Sequence, residues 1–253
     1  MLEALHLDGA DQPVAVLLEG PALRLRRSGI ADVFAPLPRL SRVVVHGPRV
    51  QWRTEALLAC AEAGVQVVLL DGRGVLRGTL VPASAPAQRR ELAALLEEKA
   101  TLPGFRGRLE DFCRAELRRA ALQALRAEGI GPEGLDLRLR PLLERWLGPR
   151  REEAPTWAAW ALLRGLGAAA VAEALSRRGV GPQFLARRSG CFPLPEQLGE
   201  ALVLPLCPAL SPLLAQAGCR MRRAVIALFE GSTPVAELER MLARLAVCLA
   251  AEV

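Results

Sequence analysis

The stretch RLSRVVVHGPRVQWRTEALLACAEAGVQVVLLDGRGVLRGTLVP, residues 39–82, decides the fold of the amino-terminal part of the chain. Its runs SRVVVHG and VQVVLLDG are rich in Val and end at Gly, which predicts two buried strands. Between them, RTEALLACAEAGV has helical spacing and stops at Gly64, which predicts a connecting helix over residues 53–65. The Gly-rich turn at residues 71–74 then leads into a further strand, VLRGTLVP, and so predicts a hairpin.

Outside this stretch the pattern changes at one place. Upstream, VAVLLEG and ALRLRRSG predict two more strands. Downstream, ASAPAQ at residues 83–88 has small residues and no periodicity, and from Arg89 onward the apolar spacing is helical. We therefore predict an α+β chain in sequence order, with a small β-rich domain at 1–82, a linker at 83–88 and a larger all-α domain at 89–253.

One predicted helix, LEDFCRAELRRAALQALRAEG, has an apolar stripe on one side. The spacing predicts that Arg114, Glu116 and Arg118 lie away from that stripe. The stripe itself is expected to consist of Phe112, Leu117, Ala120, Ala121, Ala124 and Leu125.

The charge of the chain is positive and is carried by arginine. The net charge is +6 and the pI is about 9.5, and Lys99 is the only lysine among 33 Lys and Arg residues. Arginine suits phosphate binding because its guanidinium group contacts two oxygens at once. A GC-rich genome would enrich arginine together with the abundant Ala and Leu, so the charge alone leaves nucleic-acid binding open.

The compartment is predicted from two patterns. The first residues, MLEALHLDGADQP, lack the basic and then apolar segments of a signal peptide, and no run reaches the roughly 18 uninterrupted apolar residues of a membrane span. We expect a cytoplasmic protein that does not enter a membrane. The six cysteines form no Cys-x-x-Cys pair and the chain has two histidines, so we expect no zinc site.

The order of elements in residues 39–82 resembles the CRISPR-associated spacer integrases, the Cas-one family. The loop GVGPQFLARR resembles the family's G-L-D-P-x-L-G-F-L-H loop, with Gly179, Pro182 and Leu185 retained. LGEALVLPLCPAL, residues 198–210, resembles the start of a family helix and retains two prolines. The resemblance implies a protein of CRISPR adaptation, which acquires spacers and acts on double-stranded DNA. It also implies a homodimer formed through residues 1–82 and a small partner, Cas-two.

In that family a Glu, a His and an acidic residue hold a divalent metal, which activates the hydroxyl that attacks DNA. In this chain the family histidine falls on Arg188, or on Arg187 if the loop slips by one residue, and arginine cannot ligate a metal. The family aspartate falls near Ala201. No residue after Asp136 is His or Asp, and the two histidines, His6 and His46, lie in the predicted β domain. The candidates for a carboxylate site are Glu144 and Glu200.

The sequence therefore favours a degenerate site that needs no metal cofactor, and leans away from an enzyme. Two alternatives stay open. One is an active, Mg²⁺- or Mn²⁺-dependent integrase or endonuclease that uses rearranged carboxylates. The other is a structural paralogue that pairs with an active Cas-one protein. The candidate DNA-binding residues are Arg187, Arg188, Arg177, Arg178, Arg220, Arg222 and Arg223. The alternative for this set is a set of solvated surface arginines.

Overall fold

The fold comes from a computed structural model of the chain. The structure describes residues 3–9, 12–82, 91–131, 133, 137–149, 154–185, 192–217, 220–232 and 235–251. The proposed linker at 83–88 therefore lies outside the described residues.

Eight strands fill the amino-terminal part and form two four-stranded sheets. The first sheet has the order β1-β5-β7-β8, with β1, β5 and β7 parallel and β8 antiparallel to β7. The second has the order β4-β3-β2-β6. The strands are β1 Glu3–Asp8, β2 Val14–Glu19, β3 Ala22–Arg27, β4 Ile30–Pro36, β5 Leu40–His46, β6 Val50–Trp52, β7 Gln66–Leu70 and β8 Leu76–Leu80.

The first sheet is covered on both faces. Val43, Val45 and Val67 point to a core shared with the second sheet and with helix α1, Thr54–Glu62. Val44 and Val68 point the other way, into the core of the helical part. Strands that are buried on both faces read as continuous apolar runs, which explains why β5 and β7 are so rich in Val.

Nine further helices follow β8 in the described part of the chain. The longest are α3 and α5, and α5 lies at the centre, packed against α7, α9 and the first sheet. The helices are α2 Glu91–Ala100, α3 Phe105–Ala127, α4 Leu139–Leu147, α5 Pro155–Arg177, α6 Pro182–Leu185, α7 Leu194–Val203, α8 Leu210–Ala217, α9 Met221–Ser232 and α10 Val235–Ala250. The predicted β-then-α architecture is confirmed.

Glycines let other backbones approach α5 closely. A Cβ atom built on Gly165 would lie 1.8 Å from the carbonyl oxygen of Gly74, in the turn between β7 and β8. A Cβ atom on Gly167 would lie 2.6 Å from the carbonyl oxygen of Gly199 on α7. Both contacts need the absence of a side chain, so the turn and α7 pack directly on the backbone of α5.

By length and composition, two helical stretches of the described chain could cross a membrane, Pro155–Arg177 and Leu194–Ala215. The most apolar window of the first is 83% buried inside the protein, as expected for the central helix of a helical core. The most apolar window of the second stretch is 50% buried. That stretch includes the short 3-10 segment Leu204–Ala209.

The predicted placement of Glu116 is wrong. Its side chain is only 2% exposed and lies inside α3's packed face. Two guanidinium nitrogens of Arg244 on α10 contact its two carboxylate oxygens, Nε at 2.9 Å and Nη2 at 2.7 Å, and Arg119 also pairs with it. These hydrogen bonds raise the pKa of Arg244. A carboxylate is tolerated in a core when cations satisfy its oxygens, and a single-helix pattern does not show a partner on another helix.

Candidate functional site

A pocket of about 720 Å³ lies at the junction between the β part and the helical part. Its walls are the turn between β7 and β8, the end of β5, and residues of α4, α5, α7 and α9. Trp157 and Trp160 of α5 form an aromatic part of the wall, and Trp160 is buried while Trp157 donates its indole N–H to the carbonyl of Gly148 at 3.3 Å. The volume is in the range of pockets that bind small molecules.

Arginines outnumber carboxylates in the pocket lining by four to two. The cations are Arg73, Arg140, Arg164 and Arg222, and the carboxylates are Asp71 and Glu200. The Arg73 side chain makes no ion pair with any residue that the structure describes. The lining therefore favours an anion.

Both lining carboxylates already have partners. Glu200 on α7 accepts from Arg164 Nη1 on α5 at 2.9 Å. Asp71 accepts from the backbone N–H groups of Arg73 and Val75, at 2.8 and 2.9 Å, and from Arg77 at 2.8 Å. Burial would raise the pKa of Asp71, but these hydrogen bonds outweigh it and keep the pKa below its usual value. Asp71 thus holds the turn in shape.

The other carboxylate candidate, Glu144, does not line the pocket, and Arg140 pairs with it at 3.0 Å, one turn away on α4. In the part of the chain that the structure describes, no three His, Cys, Asp or Glu side chains are grouped so that they could hold a metal ion. The described carboxylates of the pocket hold arginines, and so they do not fit the divalent metal that the fold family implies.

His46 lies at the edge of the pocket, at the carboxyl end of β5. Its side chain is 3% exposed, and its Nε2 atom is 3.1 Å from Nδ1 of His6. Burial, together with the neighbouring His6, lowers the pKa of His46 from 6.5 to about 4. The ring is therefore neutral at pH 7, and it occupies a hydrogen-bonded, buried position.

Charged side chains connect the β part to α5 and α9 beside the pocket. Arg222 pairs with Asp8 of β1 at 2.7 Å, and His6 is 3.1 Å from Glu230 of α9. Arg42 of β5 contacts Glu230 at 3.1 Å and the buried Glu173 of α5 at 2.7 Å. These ion pairs, which we call the junction pairs, join Asp8, His6 and Arg42 on the first sheet to the helices. Arg222 belongs both to them and to the pocket.

The structure separates the predicted DNA-binding arginines into groups. Arg222 lines the pocket in the first turn of α9, where Arg223 follows it, and Arg220 immediately precedes the helix. Arg177 is the last residue of α5, about 20 Å along the helix axis from Arg164, and Arg178 follows it. Arg177 pairs with Glu173 at 2.8 Å, and Arg178 pairs with Glu239 of α10. Arg187 and Arg188 lie outside the described residues.

Sequence reasoning did not single out Arg164, Arg140 or Arg73 as site residues. A signal for Arg164 exists in the sequence, because it is the only charged residue between positions 157 and 172 of an otherwise apolar helix. A lone charge inside such a run needs a partner or a polar cavity. Arg140 and Arg73 carry no comparable signal, since both occur in segments with other charged residues.

Residues 11–106 match the profile of the family described as CRISPR associated protein Cas1. Among curated proteins, no sequence matches the chain. A CAS1 protein from Thermotoga maritima aligns over 99% of this chain and 98% of its own, with a TM-score of 0.74 and 11% identity. A casposase bound to its integration product aligns over 98% and 91%, with a TM-score of 0.67 and 13% identity. A TtCas1–DNA complex aligns over 99% and 93%, with a TM-score of 0.67 and 16% identity.

These alignments define the class by its fold: along its whole length the chain has the two-part fold of Cas1 proteins and casposases. Together with the family match in residues 11–106, this fold makes the chain similar to Cas1 proteins.

Proposed function

We propose that this protein is a DNA-binding member of a CRISPR adaptation module that does not itself cut or join DNA. The observation that carries the proposal is the charge of the junction pocket, where four arginines face two carboxylates that are already paired. Such a lining attracts phosphate, and phosphate contacts need no metal and no particular base sequence. Two structural neighbours are, by their descriptions, bound to DNA or to an integration product, which supports DNA as the partner.

The protein would work in the cytoplasm as part of an assembly. A homodimer through residues 1–82 is supported by the apolar surface of β4, the edge strand of the second sheet. Ile30, Val33 and Phe34 on that strand are each more than half exposed. Exposed apolar edge strands are typical sites of association between chains. Cas-two, or an active Cas1 protein, would be the further partner of this dimer.

The first experiment measures DNA affinity against salt concentration. We expect the double change Arg73→Ala with Arg140→Ala to weaken binding to all duplex sequences alike, because phosphate contacts carry no sequence information. The slope of log affinity against log salt should flatten by up to about two, at about 0.9 for each lost contact. The double change Arg187→Ala with Arg188→Ala tests the loop in the same way.

The matched control is Arg106→Ala with Arg114→Ala on α3. Both arginines are exposed, and each has a carboxylate partner one turn away, as Arg140 has. This control should leave the slope unchanged. If no variant differs from the parent, the protein is a scaffold that pairs with an active sister protein. Nicking of DNA in Mg²⁺ or Mn²⁺ that disappears in Glu144→Ala or Glu200→Ala would instead establish an active enzyme.

A further inference from the structure

We propose that Arg164 is a built-in cation of the junction pocket, held by Glu200, and that it binds phosphate groups without any divalent metal. The proposal rests on the proposed function in that DNA is one source of the phosphate. It goes further by assigning the binding to one ion pair and by predicting how each partner of that pair acts.

The geometry leaves part of the guanidinium available for a ligand. Glu200 contacts Arg164 through one nitrogen, Nη1, at 2.9 Å. The side chain of Arg164 is 39% exposed and that of Glu200 is 14% exposed, so the cation is the more accessible partner. A guanidinium group has five N–H donors in a planar fork, and a single carboxylate contact leaves donors free for phosphate oxygens.

The position of Arg164 is fixed by its surroundings. It projects from α5, where it is the only charge within an apolar stretch, and the backbone of α5 touches α7 at Gly167, one turn further along. Glu200 follows Gly199, the residue on the other side of that contact. The cation is therefore held in place before a ligand arrives, which lowers the entropy cost of binding.

A divalent cation would meet an unfavourable field at the same place. The charge of Glu200 is already balanced by Arg164, and Arg73, which makes no ion pair with any described residue, adds positive charge to the wall. A metal needs carboxylate oxygens that are free to coordinate it, whereas phosphate needs donors. The pocket thus disfavours Mg²⁺ and favours phosphate, the group whose charge Mg²⁺ would otherwise neutralise.

The test uses the full chain and two probes, inorganic pyrophosphate and a short DNA duplex, titrated by calorimetry in EDTA and then in Mg²⁺. We expect Arg164→Gln to weaken pyrophosphate binding about tenfold, the effect of one charge-assisted hydrogen bond. We expect Glu200→Gln to strengthen it several-fold, because the change removes the anion that competes for the guanidinium. Mg²⁺ should not increase the affinity of the parent protein for either probe.

The matched controls are Arg106→Gln and Glu110→Gln, an exposed Arg–Glu pair on α3 that should leave pyrophosphate binding unchanged. If Glu200→Gln does not fold, the double variant Arg164→Gln with Glu200→Gln replaces it. We expect the double variant to lose affinity as Arg164→Gln does, and thermal unfolding checks its fold.

The effect of Glu200→Gln on pyrophosphate affinity distinguishes a phosphate site from a metal site, because the two predict changes of opposite sign. Weaker binding in Glu200→Gln, seen only in Mg²⁺ or Mn²⁺, would mean that Glu200 is a metal ligand and would overturn the proposal. Unchanged pyrophosphate affinity in both single variants would overturn it as well. If pyrophosphate behaves as expected but the duplex does not bind, the phosphate site stands and the proposed function fails. If the duplex binds in EDTA and neither variant matters, the proposed function stands and this site fails.

Discussion

At the scale of single residues, the protonation of His46, at the edge of the pocket, makes the stability of the protein depend on pH. Its buried imidazole is neutral in the folded protein down to about pH 4, whereas an unfolded chain protonates it near pH 6.5. Between these values the unfolded state binds more protons, so the free energy of unfolding falls as the pH falls through this window. Stability from this group is complete above about pH 6.5.

The corresponding prediction compares the parent with His46→Gln in urea unfolding at pH 7 and pH 5. Between pH 7 and pH 5 the free energy of unfolding of the parent should fall by about 2 kcal/mol more than that of the variant. Only the parent has a histidine here whose pKa differs between the folded and unfolded states. Carboxylates titrate in both proteins, so their effect cancels in the difference. Equal losses in parent and variant would show that His46 is readily protonated in the folded state.

Residue-level prediction from sequence works where local pattern decides the outcome and fails where a partner does. His46 ends an apolar strand, where a histidine is most often a hydrogen-bonded structural residue, and its buried position beside His6 agrees with that pattern. Glu116 was expected to face solvent, but Arg244, more than a hundred residues later, stabilises it inside the core. Arg164 was not singled out because its role depends on Glu200 of another helix. Such pairs are tertiary contacts, which helical spacing does not encode.

At the scale of elements, the turn between β7 and β8 is a wall of the pocket and packs on α5. Gly74 in this turn has a φ of +78°, a conformation that favours glycine. Its carbonyl oxygen lies where a side chain on Gly165 would be. The turn and the helix can touch only because both positions lack a Cβ atom.

We predict that Gly165→Ala destabilises the protein by about 1–3 kcal/mol, since the methyl group would collide with backbone that cannot rotate away. Thermal unfolding measures the loss. The matched control is Gly107→Ala on α3, where nothing lies within 4 Å of the added methyl group. This control should instead stabilise by about 0.5–1 kcal/mol, because alanine favours a helix over glycine. A Gly165→Ala protein as stable as the control would show that the turn moves freely.

Elements were predicted well where their local pattern was strong. β2, β3, β5, β7, β8 and α1 all occur where their apolar runs, glycines and helical spacing predicted them. β4 was missed because its residues are mostly exposed, so IADVFAP shows no alternation of buried and exposed positions. β6 has three residues and β1 has a mixed pattern, and both are strands because a neighbouring strand pairs with them. Neighbours of this kind cannot be identified from one segment.

At the scale of the whole molecule, the chain's own helices cover one face of the first sheet. A small β domain with such Val-rich strands as β5 and β7 cannot bury all of its apolar surface by itself. The structure instead covers Val44 and Val68 with the chain's own helices. Among the described residues, β4 of the second sheet has three apolar side chains that are more than half exposed, Ile30, Val33 and Phe34.

The prediction for the assembly follows from that surface. Phe34 on β4 is 51% exposed, and we expect the parent chain to sediment as the proposed dimer and Phe34→Glu as a monomer, because a charge would be desolvated in an apolar contact. Leu58→Glu on α1 is the control, since Leu58 is equally exposed but lies on a helix outside the second sheet. A dimer that persists in Phe34→Glu would mean that the chains associate through another surface.

The contact between Gly167 and Gly199 has a mechanical consequence for the pocket. Because their backbones touch, α5 and α7 form one rigid unit, and this unit carries both Arg164 and Glu200. The turn between β7 and β8 also packs on the backbone of α5, whereas the starts of α4 and α9 form the other side of the pocket, where Arg222 of α9 contacts Asp8 of β1 through its side chain. A change in the width of the pocket for a larger or smaller ligand must therefore come from α4 and α9, while the distance between Arg164 and Glu200 stays constant.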